Sequence, residues 1–446
     1  MFGNLANITK IPELRRRLFL TLALLAIYRI GVFITVPGVN RSVLSKLVSG
    51  GGGGGVLGLL NLFTGGATQL MSIFALGIMP YISASIIMQM LGVMLPSVER
   101  LKREGQTGQR KISQYTRYGT VGLSLVQGFL ISSYLINLNE GSPGLLIDPD
   151  MGFRLLTMLT LTTGAVFMMW LGEQITEHGL GNGISLLITA GIIAQFPMAV
   201  INTYQQFDSG AMSIFQVLLI VGVALIVTAF IVYVESAQRR IPLQYAKRMV
   251  GRRIYGGQQH NLPLKLNMAG VMPPIFASSF LVFPTTAASY FQDYPISQQI
   301  QTILQPGDWR YAVVYIVLTV FFCFFWVSTQ YNVVDMADNL RRSGAYIPGI
   351  RPGKKTADYL DDVMTRLTVA ASVYISAVCV MPFILQDYLN VSFYFGGTSL
   401  LIVVSVGLDT VAQIESHLLT RHYDDVSQMA TAGAKGIKGR DRDSES

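Results

Sequence analysis

Long apolar stretches alternate with short polar segments along this chain of 446 residues. A helix needs about 20 apolar residues to cross the roughly 30 Å hydrocarbon core of a bilayer. Ten stretches come close to that length, and we number them spans 1 to 10: 18–36, 70–95, 118–138, 155–172, 184–204, 212–234, 268–290, 311–328, 367–385 and 398–414. Because they lack the strict alternation of barrel strands, the pattern predicts an all-α polytopic membrane protein with ten transmembrane helices.

One short stretch does not fit this pattern. Residues 60–69, "LNLFTGGATQ", are too polar and too rich in glycine to cross a membrane. They are also too apolar for an idle surface loop, and they lead directly into span 2, which has no charged residue. We call this stretch the stub and expect a short helical segment that does not span.

Composition and charge agree with a membrane protein and give it an orientation. Only 13% of the residues are charged, about half of the share in soluble domains. An even number of spans puts both termini on one side. That side then carries 28 of the 33 Lys and Arg residues, against four on the other side and one, Arg29, within span 1. Since positive residues concentrate in cytoplasmic loops, both termini are predicted to be cytosolic.

Two basic segments exceed what orientation requires. Residues 239–267 hold seven positive charges and no acid, and they predict a strand, a turn and a second strand around Gly251 and the glycines at 256–257. Residues 340–360 are punctuated by glycine and proline. Such segments can dock an acidic partner or RNA phosphates. The alternative is a topology signal in contact with lipid headgroups.

Spans 2 and 7 occupy matching places in two five-span halves, and both are interrupted. The interruptions are Gly77 and Pro80 in span 2, and Gly270, Pro273, Pro274 and Pro284 in span 7. Proline removes a backbone donor and bends a helix, and broken helices at matching positions point to a functional seam. Tolerated kinks in packed helices are the alternative.

The sequence offers few candidates for a catalytic, metal-binding or proton-carrying site. The sequence has no phosphate-binding loop and no metal spacing among its four histidines and two cysteines, so we expect no catalysis, no metal and no cofactor. Glu173 and Glu177 sit in a glycine-rich turn at a span end. Asp409 is the sole acid within a span, near its cytosolic end, which argues against a proton-coupled carrier.

Long strings along nearly the whole chain resemble the SecY family, the channel-forming subunit of the bacterial Sec translocon. They include "LNLFTGGA", "ALGIMPYISASI", "GQRKISQYTRYGT", "MWLGEQITEHGLGNGIS", "LPLKLNMAGVMPPIFASS", "FYFGGTSLLIVVSVGLD" and "ADNLRRSGAYIPGIRPGKKTADYLD". The glycine run at 50–55 departs from the family pattern, and the C-terminal tail is not diagnostic.

The resemblance implies two pseudo-symmetric five-helix halves around an hourglass pore in the bacterial inner membrane. The expected parts are an N-terminal arm (1–17), an N-terminal half (18–204), a C-terminal half (212–417) with cytosolic loops at 235–266 and 330–366, and a tail (418–446). The stub corresponds to the family's plug, about 58–68, a short helix that closes the outer funnel at rest. Its residues are Leu60, Asn61, Leu62, Phe63, Thr64, Gly65 and Gly66.

The resemblance also implies the working residues of the channel. The pore ring comprises Ile78, Ile82, Ile188, Ile275 and Ile402. Spans 2 and 7 form a lateral gate for signal sequences and membrane anchors, with polar candidates Ser83, Ser85, Gln127 and Asn267. The residues expected to bind partners are Lys247, Arg248, Arg252, Arg253 and Arg351. The partners implied are the SecA ATPase, the ribosome, the membrane subunits SecE and SecG, and secretory preproteins.

Three functions are compatible with a polytopic chain of this kind. The first is a passive protein-conducting channel driven from outside by an ATPase or the ribosome. The second is a secondary transporter of small solutes, which broken helices in two halves suggest but which the scarcity of intramembrane charge disfavours. The third is a scaffold or insertase without a continuous pore, for which a sealing stub would have no purpose.

Overall fold

The computed structural model describes residues 12–49, 61, 64–141, 144–210, 212–245, 248–250, 253–255, 259–290, 294–305, 308–389, 397–416 and 418. A helix occupies each of the ten predicted spans. In order they are Pro12–Gly31, Met79–Met94, Gln106–Gly141, Met151–His178, Gly183–Asp208, Ile214–Ser236, Met272–Tyr290, Trp309–Gln330, Lys354–Leu389 and Gly397–Ser416. Seven of them, all except spans 1, 2 and 7, are long and apolar enough to cross a membrane unaided.

Polar residues fix where several of these helices begin. The Asn182 side chain accepts hydrogen bonds from the backbone amides of Ile184 and Ser185 at the start of span 5. Ser213 and Gln216 form a reciprocal capping box at the start of span 6. Such caps satisfy amide groups that have no partner within the helix, and they place the helix ends at polar segments between spans. In the described ranges, four shorter helices connect the spans: Arg41–Ser49, Pro96–Arg103, Pro295–Ile303 and Val333–Arg342.

The predicted boundaries of spans 1 and 2 were wrong where the two meet. Span 1 ends at Gly31 rather than 36, and span 2 begins at Met79 rather than 70. The residues in between pair with each other: the Val36 amide donates to the Met71 carbonyl over 2.8 Å, and the Ile73 amide donates to the Ile34 carbonyl over 2.9 Å. This bonding competes with the helix and satisfies the backbone of both segments.

Proline and glycine start spans 2 and 7 rather than kink them at their centres. Gly77 has a φ of +57° and Gly270 a φ of +63°, a conformation that a helix cannot contain. Pro80 then lies in the first turn of span 2, where its missing amide costs little. The predicted bend at Pro80 is therefore a helix start. Pro284 does lie inside span 7.

The packing follows the two halves. In the N-terminal half, span 3 packs against spans 2 and 4, and span 4 against span 5. In the C-terminal half, span 8 packs against spans 7 and 9. Span 7 also packs against spans 2 and 3, so these three helices form a seam between the halves.

The basic segments fold into a three-stranded sheet and a separate two-stranded sheet. The predicted strand, turn and strand are confirmed as β1 (Gln238–Tyr245) paired antiparallel with β4 (Gln259–Lys265), with β2 (Arg248–Val250) and β3 (Arg253–Tyr255) between them. The other edge of β1 pairs with β5 (Ala345–Tyr346), which comes from the second basic segment. The two basic segments are therefore held side by side.

Candidate functional site

Five isoleucines from both halves of the chain lie in one buried cluster. Ile78 and Ile82 come from the start of span 2, Ile188 from span 5, Ile275 from span 7 and Ile402 from span 10. None of them is more than 5% exposed. This cluster is the main hydrophobic core and includes many other residues. The five isoleucines are therefore buried in the same core, and their arrangement as a ring stays a prediction.

The stub is also buried, as far as it is described. Asn61 and Thr64 are each 2% exposed, although both are polar. The Gln195 side-chain amide, from span 5, donates a 2.6 Å hydrogen bond to the Asn61 carbonyl. The hydroxyl groups of Thr64 and Thr68 lie 2.9 Å apart. The predicted stub residues Leu60, Leu62 and Phe63 lie outside the described residues.

Span 1 provides two more donors to the stub. The Tyr28 hydroxyl donates to the Thr64 carbonyl over 3.1 Å, and the Arg29 guanidinium donates to the Gly65 carbonyl over 3.0 Å. All three anchoring bonds therefore run from a side chain of a span to a backbone carbonyl of the stub. Sequence reasoning missed Tyr28, Arg29 and Gln195; the signal available was an arginine within an apolar span.

Glycines allow the stub to approach its neighbours closely. Gly65 has a φ of +64°, and a Cβ built on it would lie 2.6 Å from the Gly191 Cα of span 5. A Cβ on Gly77 would lie 2.8 Å from the Thr64 side chain. Gly66, with a φ of +93°, has open space around it. Glycine is thus required at position 65 for two reasons: a side chain would clash with span 5, and the backbone has a positive φ.

The four predicted gate residues do not bond to one another. Ser83 and Ser85 are partly buried on span 2, and Ser85 accepts a 3.3 Å bond from Gln89 of the same helix. Gln127 is buried on span 3. A polar contact that does cross the seam is from the Ser279 hydroxyl of span 7 to the Met79 sulfur of span 2, at 3.2 Å.

Asn267 instead fixes the start of span 7 to span 6. Its side-chain amide donates to the Glu235 carboxylate over 2.7 Å and to the Gly270 carbonyl over 3.2 Å. Nearby, Lys265 at the end of β4 forms a 2.9 Å ion pair with Asp409 of span 10. Asp409, the one intramembrane acid that the sequence offered, is 60% exposed and paired, so it does not form a buried coupling site.

The described partner-binding candidates lie in the two basic segments. The Arg351 side chain is exposed in the loop that follows β5. Arg248 and Arg253 belong to the short strands β2 and β3, whereas Lys247 and Arg252 lie outside the described residues. No group of three or more His, Cys, Asp or Glu residues in the described ranges could hold a metal ion.

Comparisons with known proteins identify relatives of the whole chain. The SecY family model matches residues 72–411. The protein translocase subunit SecY of Escherichia coli K12 is 48% identical over 427 residues, which cover 95% of this chain and 96% of the relative. The subunit of the same name from Haemophilus influenzae is also 48% identical, over 430 residues.

Solved structures share the fold at low sequence identity. One described as a protein-conducting channel has a TM-score of 0.63 at 19% identity and covers 92% of this chain and 96% of its own. A SecY channel described by its plug domain has a TM-score of 0.65 at 20% identity with the same coverage. Canine Sec61 in a ribosome–channel complex has a TM-score of 0.59. The chain is a multi-pass membrane protein and belongs to the SecY family of protein translocase subunits.

Proposed function

We propose that this chain forms the gated, passive channel through which a bacterial translocase moves secretory proteins across the cytoplasmic membrane. The observation that carries the proposal is the buried stub, which is hydrogen-bonded to spans 1 and 5 and lies against Gly77, the residue before Ile78. A non-spanning segment buried at the centre of a membrane protein is the arrangement that a resting channel needs for its seal.

The five isoleucines suit the waist of such a channel. Their side chains are apolar and branched, and they make no specific bond to a passing chain, so they can fit many sequences. An apolar constriction also opposes the passage of ions, because ions lose hydration there without gaining a partner. The same side chains can therefore exclude ions and still allow many different polypeptides to pass.

The anchoring bonds suit a seal that must open. Each stub carbonyl accepts from a neutral or cationic side chain, and water can replace either partner when the stub leaves. A hydrogen bond of this kind contributes about 0.5–1.5 kcal/mol net, and up to about 3 where one group is charged. The three bonds together favour closure without making opening prohibitive.

The seam of spans 2, 3 and 7 is the proposed lateral gate. Apolar segments of about 20 residues would pass through it into lipid. The thioether contact between Met79 and Ser279 is weak, because sulfur is a poor acceptor. The candidate gate residues remain Ser83, Ser85, Gln127 and Asn267. Asn267 would act through its bonds to Glu235 and Gly270 at the start of span 7.

The driving force comes from partners in this proposal. The charge distribution supports cytosolic termini and cytosolic basic segments. These segments carry Arg248 on β2, Arg253 on β3 and Arg351 in the loop after β5. Those cations suit contacts with a motor ATPase such as SecA or with ribosomal RNA phosphates. SecE and SecG are the proposed membrane partners.

Reconstitution tests the proposed function. Vesicles that contain this chain with its partner subunits and the motor should protect a secretory precursor from added protease only when ATP is supplied. The same vesicles should not accumulate small solutes in an ion gradient. A chain that inserts correctly but never protects the precursor would fit a scaffold instead, and gradient-driven solute uptake would fit a transporter.

A further inference from the structure

A small polar cluster lies between the end of span 6 and the start of span 7. The carboxylate of Glu235, one residue before span 6 ends, is partly buried there. The backbone closes the same corner, because the Leu266 amide donates to the Ala237 carbonyl over 2.9 Å at the base of the β1–β4 hairpin. A carboxylate in such a place needs hydrogen-bond partners, so the donors around Glu235 indicate its role.

One donor is bonded to this carboxylate and fixes the start of span 7. The Asn267 side-chain amide donates to Glu235 over 2.7 Å. The same side chain bonds both backbone groups of Gly270: it donates to the carbonyl over 3.2 Å and accepts from the amide over 3.0 Å. Gly270 has a φ of +63° and lies two residues before span 7 begins. Glu235 therefore positions the first turn of span 7 through Asn267.

A second donor lies close to the same carboxylate without a hydrogen bond. The hydroxyl group of Ser405, on span 10, lies near Glu235. It is buried and has no hydrogen-bond partner within the described part of the chain. Its place on span 10 agrees, because Asp409, one turn further along, pairs with Lys265, two residues before Asn267. Buried hydroxyl groups are nearly always bonded, so an unpaired one requires an explanation.

Span 9 presents another unpaired hydroxyl group to this corner. The Tyr374 side chain interacts electrostatically with Glu235, and its ring packs edge-on against Phe230 of span 6, with the ring centroids 5.8 Å apart. Tyr374 is buried, and its hydroxyl group has no hydrogen-bond partner among the described residues. Three spans therefore present a donor near one carboxylate, and only the donor next to span 7 is bonded to it.

We infer that Glu235 is a positioning residue of the gate and bonds to different donors in its two states. Asn267 is the donor while span 7 is packed against span 2, which we call the closed state. The hydroxyl groups of Ser405 and Tyr374 become the donors in the open state, once the start of span 7 has shifted. A carboxylate accepts several hydrogen bonds, so rotation of the Glu235 side chain is enough for the exchange. The inference rests on the proposed channel function.

The exchange keeps the carboxylate bonded throughout gate movement. Without it, release of Asn267 would leave a partly buried charge unpaired, which costs more than an unpaired neutral group. The closed state instead leaves two neutral hydroxyl groups unpaired. Each state thus has bonds that the other lacks, which is how a packed protein holds two discrete arrangements in balance.

Two variants with opposite expected effects test the exchange. We would reconstitute the complete translocase and measure ATP-driven protection of a precursor with an intact signal sequence and of one whose apolar region is shortened. Asn267→Ala removes the donor of the closed state, so the shortened precursor should be exported at least fivefold faster than by the wild-type chain. Ser405→Ala with Tyr374→Phe removes the donors of the open state, so the intact precursor should be exported at least fivefold more slowly.

The matched control removes bonded hydroxyl groups from the same two helices. The Thr410 and Ser372 hydroxyl groups each donate to a carbonyl of their own helix, over 2.7 and 2.9 Å. Thr410→Val with Ser372→Ala should therefore export both precursors like the wild-type chain. Glu235→Ala removes the acceptor that both states share. In that background, neither Asn267→Ala nor the paired hydroxyl substitutions should change export further.

The other outcomes overturn the inference in distinguishable ways. Effects in the same direction from Asn267→Ala and from the hydroxyl variant would show that these side chains only support the packing. Wild-type export by the hydroxyl variant would remove the two hydroxyl groups from the open state. Slower export by the control would attribute the effect to the loss of any hydroxyl group. Undiminished effects in the Glu235→Ala background would exclude the carboxylate as the shared acceptor. If the wild-type chain did not protect even the intact precursor, the proposed channel function itself would fail.

Discussion

The side-chain amide of Gln195 lies 2.6 Å from the backbone carbonyl of Asn61, 134 residues earlier in the chain. This bond joins span 5 to the stub, and the Tyr28 hydroxyl makes a similar bond from span 1 to the Thr64 carbonyl. The stub is thus held from two sides by donors that belong to the N-terminal half. These hydrogen bonds must break when the stub leaves. Their loss therefore contributes to the free energy of opening, which can be measured.

Removal of either donor should loosen the seal. Gln195→Ala and Tyr28→Phe each leave a buried carbonyl without its partner, at a cost of about 1–3 kcal/mol. About 1 kcal/mol corresponds to roughly a fivefold change in an equilibrium. Resting ion leak through vesicles should therefore rise about fivefold or more. Gln205→Ala, at an exposed position of the same span, should leave the leak unchanged; equal leak in all three variants would contradict the anchoring role.

The two glycines of the stub should respond differently to alanine. Both have positive φ, so both substitutions carry backbone strain of about 1–2 kcal/mol. Only at Gly65 would the new Cβ also meet backbone, 2.6 Å from the Gly191 Cα. Gly65→Ala should therefore displace the stub and raise the resting leak well above that of Gly66→Ala. A larger leak from the Gly66 variant would show that the close approach to span 5 does not matter.

Shortening the isoleucines should weaken the constriction. Ile82→Gly together with Ile275→Gly removes two branched side chains from the buried cluster and leaves a cavity that the backbone cannot close fully. We expect a higher resting leak or the export of precursors with defective signal sequences. Both readouts can be taken from the same vesicle preparation, and wild-type behaviour in both would remove these residues from the ring.

Reversal of charge at Arg351 should affect the motor rather than the membrane fold. The side chain is exposed beside β5, so Arg351→Glu should leave membrane insertion intact while reducing ATPase-driven export at least tenfold. Arg342→Glu, exposed at the end of the helix Val333–Arg342, is the control for a general loss of positive charge. Normal export by the Arg351 variant would exclude it from the docking surface.

The sequence predicted the parts of the fold that depend on local patterns. Ten helices lie at the ten apolar stretches, and the predicted strands of the first basic segment are present as β1 and β4. The predicted boundaries were wrong between spans 1 and 2. There, the backbone of Val36 pairs with that of Met71, and the hydrophobic pattern of neighbouring residues gives no sign of a pairing between such distant segments. These non-local hydrogen bonds end the two helices earlier than the length of the apolar stretches predicts.

The candidate site also contains residues that the sequence predicted and residues that it did not. The isoleucines came from motif resemblance, and the structure buries all five of them in the main hydrophobic core. The anchors of the stub could not be inferred, because Gln195 read alone is one polar residue within an apolar helix. Likewise, Asn267 was expected to face the gate, whereas its partner is Glu235 of span 6. The spacing of residues along the sequence does not predict which distant group a single polar side chain will bond to.

The measurement that tests the channel most directly is photocrosslinking from the waist. A photoreactive residue at Ile82, with a second chain labelled at lipid-facing Ile226 of span 6 as control, would be combined with a secretory precursor arrested in transit. We predict crosslinks from position 82 to the mature region of the precursor, dependent on its engagement, and none from position 226. Crosslinks from position 226 alone, with the arrested precursor confirmed, would contradict passage through the isoleucine ring.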